Sequence, residues 1–420
     1  MGTGRVVRHD WKYRVDGEIG RFEFATYRLE QGGKEVYRSV GDLFPELHVG
    51  EWYLTRGFKE VGLVAGSGEQ SYRKTAWWLN RMRHQAGGTP ARTLQEQTEA
   101  EGRRVQAEVA RLGAEVLARH GFDEVESGCW GPTSVPLMAP AEVAAAIEMN
   151  GADAAARAEM RSNPVGYECP AASVRLSVDD VGVKRQKAQR GETLLPDPAE
   201  TKFLHTTVIH LQTETGSAVV SGMGMIAVLR LAAAFLLATG LLRRSLVFFV
   251  DGQKALHANL ATVFARWQGV QVILDWHHLR QKCSQALSLA LNGKDRRNRV
   301  LAQLTALLWD GRTAAAHDFL AQLNPAWVKN PDQLEKLRAS LIRNTPYIPC
   351  YSVRKALGLR NSSNLGEKYN DLVVSQRQKH NGMSWSAHGS QALAALATLK
   401  LNQQVQSWFK TGQIQFKLTP

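Results

Sequence analysis

The apolar run LVFFV, residues 246–250, constrains this chain more than any other feature. Five consecutive apolar residues closed by Asp251-Gly252 read as a short strand covered on both faces and ending in a turn dipeptide. Such a strand belongs inside an α/β sheet, and its neighbours agree. Residues 223–242 are nearly all apolar and read as a buried helix; Arg230 interrupts them, which argues against a membrane span. After the run come an amphipathic helix over 255–267 and a second apolar strand, VQVILDW.

Upstream, VRLSVDD reads as a strand, GVKRQ as the start of a second after a tight turn, and FLHTTVIHLQT as a third. Three strands, helix, strand, helix, strand is the order of an RNase H-like domain, a mixed sheet with helices on both faces. Residues 279–345 read as purely helical, and a last helix begins near Leu365. The 420 residues allow two or three domains. The pattern divides them into a small β-rich region (1–60), a helical region (61–125), a Pro-rich connector (126–170), the sheet domain (171–278 and 360–400), an all-helical insertion (279–359) and a tail (401–420). In the first region FEFATYRL and KEVYRSV flank Gln31-Gly32-Gly33, as in a hairpin. In the second, Ser67 with Gln70 and Thr93 with Glu96 form capping-box signatures around the breaker GGTP. Two helices joined by a short Gly-containing turn, with Arg81 and Arg83 on the first, match a helix-turn-helix, and equally an ordinary helical hairpin.

Two acids stand at strand ends. Asp251 closes one apolar run and Asp179 closes 174–178, at the rim where open α/β sheets place ligands. The topology makes these strands neighbours, so the two carboxylates would meet. Paired carboxylates repel one another unless a cation intervenes; Mg²⁺ or Mn²⁺ with substrate phosphate satisfies them. Glu367, in NLGEKYND, is the candidate third acid. Asp275 ends another apolar strand in LDWHHL, with His278 three residues on, placed to hydrogen-bond a phosphate. Asp179 precedes Asp180, and one residue of shift turns a strand side chain to the other face; both stay open as the first acid.

Four pieces, VDDVGVKRQ, FFVDGQKAL, LDWHHL and NLGEKYND with the downstream RQKHNGMSW, together resemble the DDE transposases of prokaryotic insertion sequences, within the Mutator-like superfamily. The resemblance spans about residues 171–390. It implies that Asp179, Asp251 and Glu367 hold two Mg²⁺ (or Mn²⁺) ions, with Asp275 and His278 beside them. It implies cleavage at transposon terminal inverted repeats and strand transfer into double-stranded target DNA, by a homodimer, in the cytoplasm of a prokaryote at its nucleoid. A DNA-binding protein that has lost activity, or an RNase H-like nuclease that never joins strands, would share these residues.

The charge agrees with a polyanionic partner. There are 52 Lys and Arg against 39 Asp and Glu, a net charge of +13. Lys184, Arg185, Lys187 and Arg190 follow the first acid, Arg296 and Arg297 lie in the insertion, and Arg377 and Lys379 follow Glu367; each is a candidate phosphate contact. The N-terminus lacks the apolar core of a signal peptide. None of the four cysteines pairs at close spacing, so neither a zinc ribbon nor a disulfide framework is expected.

Overall fold

The structure, a computed structural model, describes residues 5–17, 20–37, 48–49, 52–68, 71–84, 88–124, 130–131, 137–187, 202–379 and 383–420. Its N-terminal sheet has the order β3-β2-β1-β5-β4, built from Arg5–Gly17 (β1), Gly20–Gln31 (β2), Lys34–Tyr37 (β3), His48–Val49 (β4) and Trp52–Leu54 (β5). The expected hairpin joins β2 to β3. Gly32 and Gly33 both take positive φ, 62° and 77°, the turn that matches strand twist. Strand β1 went unforeseen because its many charged residues hide the period-two pattern.

The second sheet is mixed, with helices on both faces. Its order is β10-β9-β6-β7-β8, from Ser173–Lys184 (β6), Phe203–Gln212 (β7), Ser217–Gly222 (β8), Ser245–Val250 (β9) and Val270–Leu274 (β10). β6, β9 and β10 run parallel, and β7 and β8 add antiparallel. The expected break before GVKRQ is absent, since β6 continues through Lys184 and pairs along all of β7. What resembled a turn is a change of buried face. Val174, Leu176 and Val178 enter one core, whereas Val181 and Val183 enter another. The true third strand is β8, reached by a tight turn in which Thr213 N–H donates to Gly216 O at 2.9 Å.

On the first face, the helix Met225–Ala238 shares a core with Leu246, Phe248, Val250 and with Val116 and Leu117 of the long helix Ala91–Arg119. On the other, Val373, Val374, Trp385 and Leu393 cover β6 and β7, and Val165 covers Val247, Phe249 and Ile273. The connector docks there through a sealed ion pair. Arg354 Nη1 lies 2.5 Å from Glu168 Oε2, with both side chains at most 1% exposed. Four helices, Trp276–Ala290, Lys294–Trp309, Thr313–Ala321 and Pro331–Asn344, bury a core of their own, tied to the end of β10 where Tyr351 O–H donates to Leu274 O at 2.7 Å.

The two helices of the expected helical pair start at other residues than the capping boxes mark. The helix Tyr72–Met82 starts at Ser71, whose Oγ accepts from Lys74 N–H, and the next begins at Pro90, so Thr93 lies inside it; Gln70 is outside the described residues. That second helix is 29 residues long and buries residues from Leu94 to Leu117 against its neighbours. At Gly102 a Cβ would come within 2.4 Å of Ala392 O, so it crosses the helix Ala387–Leu401 almost backbone to backbone. A helix held in this way packs against the helices Met225–Ala238 and Ala387–Leu401, which cover the two faces of the second sheet.

Candidate active site

β6 and β9 place the first two acids. Their parallel register pairs Ser177 with Phe249, and Asp179 and Asp251 each lie two residues beyond that last pair, Asp179 within β6 and Asp251 just past the end of β9. Alternation puts Asp179 on the face of Ser177 and Val181, toward the helix Asn364–Asn370. Asp180 points the other way, where Thr207 Oγ1 donates to its Oδ1 at 2.5 Å. Asp179 is held by two donors: Asp180 N–H on Oδ1 at 2.8 Å and Asn370 Nδ2 on Oδ2 at 2.5 Å.

Burial raises the Asp179 carboxyl above its ordinary 3.8, and the negative charges of Asp251 and Asp180 add to the rise. The Asp180 hydrogen bond and the nearby His278 act in the opposite sense. Among the described residues this coupling is the electrostatic sign that Asp179 and Asp251 are near one another.

The helix carrying Glu367 lies against β6 because residue 366 is glycine; a Cβ there would approach Ser177 Cβ to 2.6 Å. Glu367 stands one turn before Asn370, its side chain half exposed. Its Oε1 is 3.7 Å from His278 Nε2. A π-helical turn, Asp371–Ser375, follows directly, a distortion frequent at functional sites. His278 thus lies near both Asp179 and Glu367, while His277 is exposed. Among the described residues, no three His, Cys, Asp or Glu side chains converge as a ready-made metal cluster.

Asp275 has another task. It is 1% exposed and caps the helix Trp276–Ala290, accepting from His278 N–H at 3.0 Å; its other oxygen accepts from Ser363 N–H and, at 2.9 Å, from Ser363 Oγ. With its oxygens so engaged it orients His278 and the loop before Glu367, and does not face the open site.

An open groove of about 560 Å³ begins at Asp251 and His278 and is lined by Lys254, Lys282 and Arg343. Sequence reading missed these three cations. Lys282 had a signal, one turn after His278 on the same helix face, but Arg343 arrives only through the fold of the insertion.

The predicted phosphate contacts divide. Lys184, Lys187, Lys379, Arg81 and Arg296 are exposed. Arg185 is the residue of β6's extension that bridges to Trp385. Arg297 is partly buried and donates to Ser288 Oγ at 3.1 Å. The helix Trp276–Ala290 carries the chain roughly 20 Å from His278 before Arg296 and Arg297 are reached. Arg190 lies outside the described residues. Two expectations fail because burial removes the guanidinium from any ligand. Arg377 is 4% exposed, sandwiched between the rings of Tyr72 and Trp385 at 4.7 and 4.9 Å. Arg83 is 7% exposed, paired with Asp16 at 2.9 Å and Thr89 Oγ1 at 3.1 Å.

No helix among the described residues is long and apolar enough to cross a membrane. No family model matches the chain, and no curated protein matches it. Among solved structures it is similar to the "Drosophila P element transposase strand transfer complex", at 10% identity and a TM-score of 0.25, over 93% of this chain and 84% of that one. A likeness at that score carries no argument about chemistry, which rests on the side chains above.

Proposed function

We propose that the chain is a metal-dependent DNA transposase of the DDE type, on an RNase H-like sheet, with Asp179, Asp251 and Glu367 as its acids. The observation that carries this reading is the placement of Asp179 and Asp251 two residues past a paired position of adjacent parallel strands, with the helix of Glu367 packed against the first strand and its Asn370 bonded to Asp179. A buried carboxylate, Asp179, whose proton affinity is raised by burial and by the charge of Asp251 fits a divalent cation, and Mg²⁺ needs only one or two carboxylates besides substrate phosphate. Bound Mg²⁺ or Mn²⁺ ions would neutralise charge at the attacking and leaving oxygens of an in-line displacement.

The chain's own residues bind and orient. Asn370 fixes the Asp179 carboxylate. His278, set by the Asp275 cap, reaches a phosphate oxygen. Lys254, Lys282 and Arg343 draw the DNA backbone along the groove. Water first attacks the phosphodiester at the element end, whose P–O3′ bond breaks to free a 3′-hydroxyl; that hydroxyl then attacks a target phosphodiester, joining to its phosphorus as the target's own 3′-hydroxyl leaves, and no covalent protein–DNA bond forms. We place this activity in a dimer on DNA, of the Mutator-like kind, in a prokaryotic cytoplasm.

The test uses labelled duplex DNA carrying the sequences that flank the gene, a target plasmid, and Mg²⁺ or Mn²⁺. Wild-type protein cleaves and joins; Asp251→Asn does neither. Equal cleavage by both refutes the site. Cleavage without joining reassigns the chain to the nucleases, and binding without cleavage to DNA-binding proteins.

A further inference from the structure

We propose that the outward face of the helix Tyr72–Met82 is a stacking platform for unpaired DNA bases. This goes beyond the phosphoryl-transfer site and takes from that reading only that the polyanion is DNA. The helix has two sharply different faces. Thr75, Ala76 and Leu79 are buried, and so is Arg83 just past its end. Facing out are Arg73, Lys74, Trp77, Trp78, Arg81 and Met82. Trp77 is 56% exposed and Trp78 47%. Burying two indoles would be the default for an ordinary surface helix.

The pattern of the face selects its ligand. Residues four apart are neighbours on a helix, about 5–6 Å between Cβ atoms. Trp77 therefore sits between Arg73 and Arg81, and Trp78 beside Lys74 and Met82. The face carries no carboxylate, and among the described residues none of the three cations is in an ion pair. The two indoles meet at 5.4 Å and 79°, edge to face, so neither covers the other. Aromatic rings for bases and cations for phosphates are what a single strand requires. A duplex shows its base edges and hides its base planes, so it would use the cations alone.

The platform is also anchored. Tyr72, at the start of the same helix, lies under the guanidinium of Arg377, ten residues beyond Glu367. A strand held on Trp77 and Trp78 is thereby fixed relative to the third-acid helix.

The test uses the full chain with EDTA present, fluorescein-labelled dT20, and a 20-bp duplex, read by anisotropy. Trp77→Ala with Trp78→Ala weakens dT20 binding at least about 10-fold and duplex binding less than about 3-fold, given what one stacked base contributes. Trp77→Phe with Trp78→Phe retains most dT20 affinity. Arg73→Ala, Lys74→Ala and Arg81→Ala together flatten the salt dependence of dT20 binding by about 2 in log–log slope, at roughly 0.7 per contact. With EDTA present the readout is binding without cleavage, so a failed active-site assignment and a failed platform are separable. The proposal is overturned if wild type does not bind dT20, if the double Ala variant binds it as wild type does, or if dT20 and duplex lose equally. It is also overturned if the double Ala variant loses only self-association in sedimentation.

Discussion

Asp251 and Asp275 begin from the same circumstances and end in opposite ones. Each follows an apolar strand, and the β9–β10 register pairs Val250 with Leu274, so the two aspartates are level on neighbouring strands. Asp251 lies at the edge of the open groove; Asp275 is 1% exposed. The residue that follows decides. Gly252 takes φ +81°, where a Cβ would press to 2.8 Å of Leu274 Cδ1, and the chain turns before its helix starts at Lys254. After Asp275 the helix starts at once with Trp276, so the carboxylate becomes its N-cap. A strand-end position brings an acid to the rim, and the next backbone step decides whether it stays available.

Exchanging the two side chains' chemistry breaks or sharpens that contrast. The largest effect is expected for Asp251→Asn: DNA cleavage falls at least about 10³-fold, worth about 4 kcal/mol of barrier, with urea unfolding unchanged. Asp275→Ala does the reverse. It uncaps the helix and strands the Ser363 donors, and costs about 2–3 kcal/mol in urea unfolding, while cleavage per folded molecule changes less than tenfold. An equal stability loss in Asp251→Asn would erase the distinction.

Gly366→Ala tests how Glu367 is seated. The added methyl meets Ser177 Cβ, so the helix must shift away from β6; about 1–2 kcal/mol of destabilisation is expected, together with slower cleavage. Restoration of both by Ser177→Gly would confirm the contact.

The smallest effect concerns pH. The folded Asp179 carboxyl titrates above its ordinary 3.8. The native state therefore holds that proton more readily than the unfolded chain does. Its contribution favours the fold at low pH and is lost as pH rises above 3.8. In EDTA, Asp179→Asn should raise the melting temperature slightly at pH 7, and the gain should vanish below pH 3.8. A loss of stability at pH 7 would contradict the origin assigned to the shift.

The strands that carry Asp179 and Asp251 were legible because their signals are local. LVFFV followed by Asp-Gly announces both a strand and its rim, and the neighbouring of the first and fourth strands follows from connection rules. The choice between Asp179 and Asp180 was not legible, since it depends on which core each face of β6 meets. β8 was hidden by its shortness, and the change of face at Asp179 imitated a turn. Arg83 and Arg377 illustrate the remaining gap. Composition counts them as cations for DNA, but their partners, Asp16 and the ring of Tyr72, are distant in sequence. Arg343 enters the groove for the same nonlocal reason.

The central claim is that Asp179 and Asp251 form one cation site, which calorimetric titration of Mn²⁺ into the full chain measures directly. Wild type and Asp275→Asn should bind Mn²⁺ with similar affinity, and Asp179→Asn and Asp251→Asn should each lose that binding. Mn²⁺ affinity that survives unchanged in Asp251→Asn, or is absent from wild type, would contradict the account.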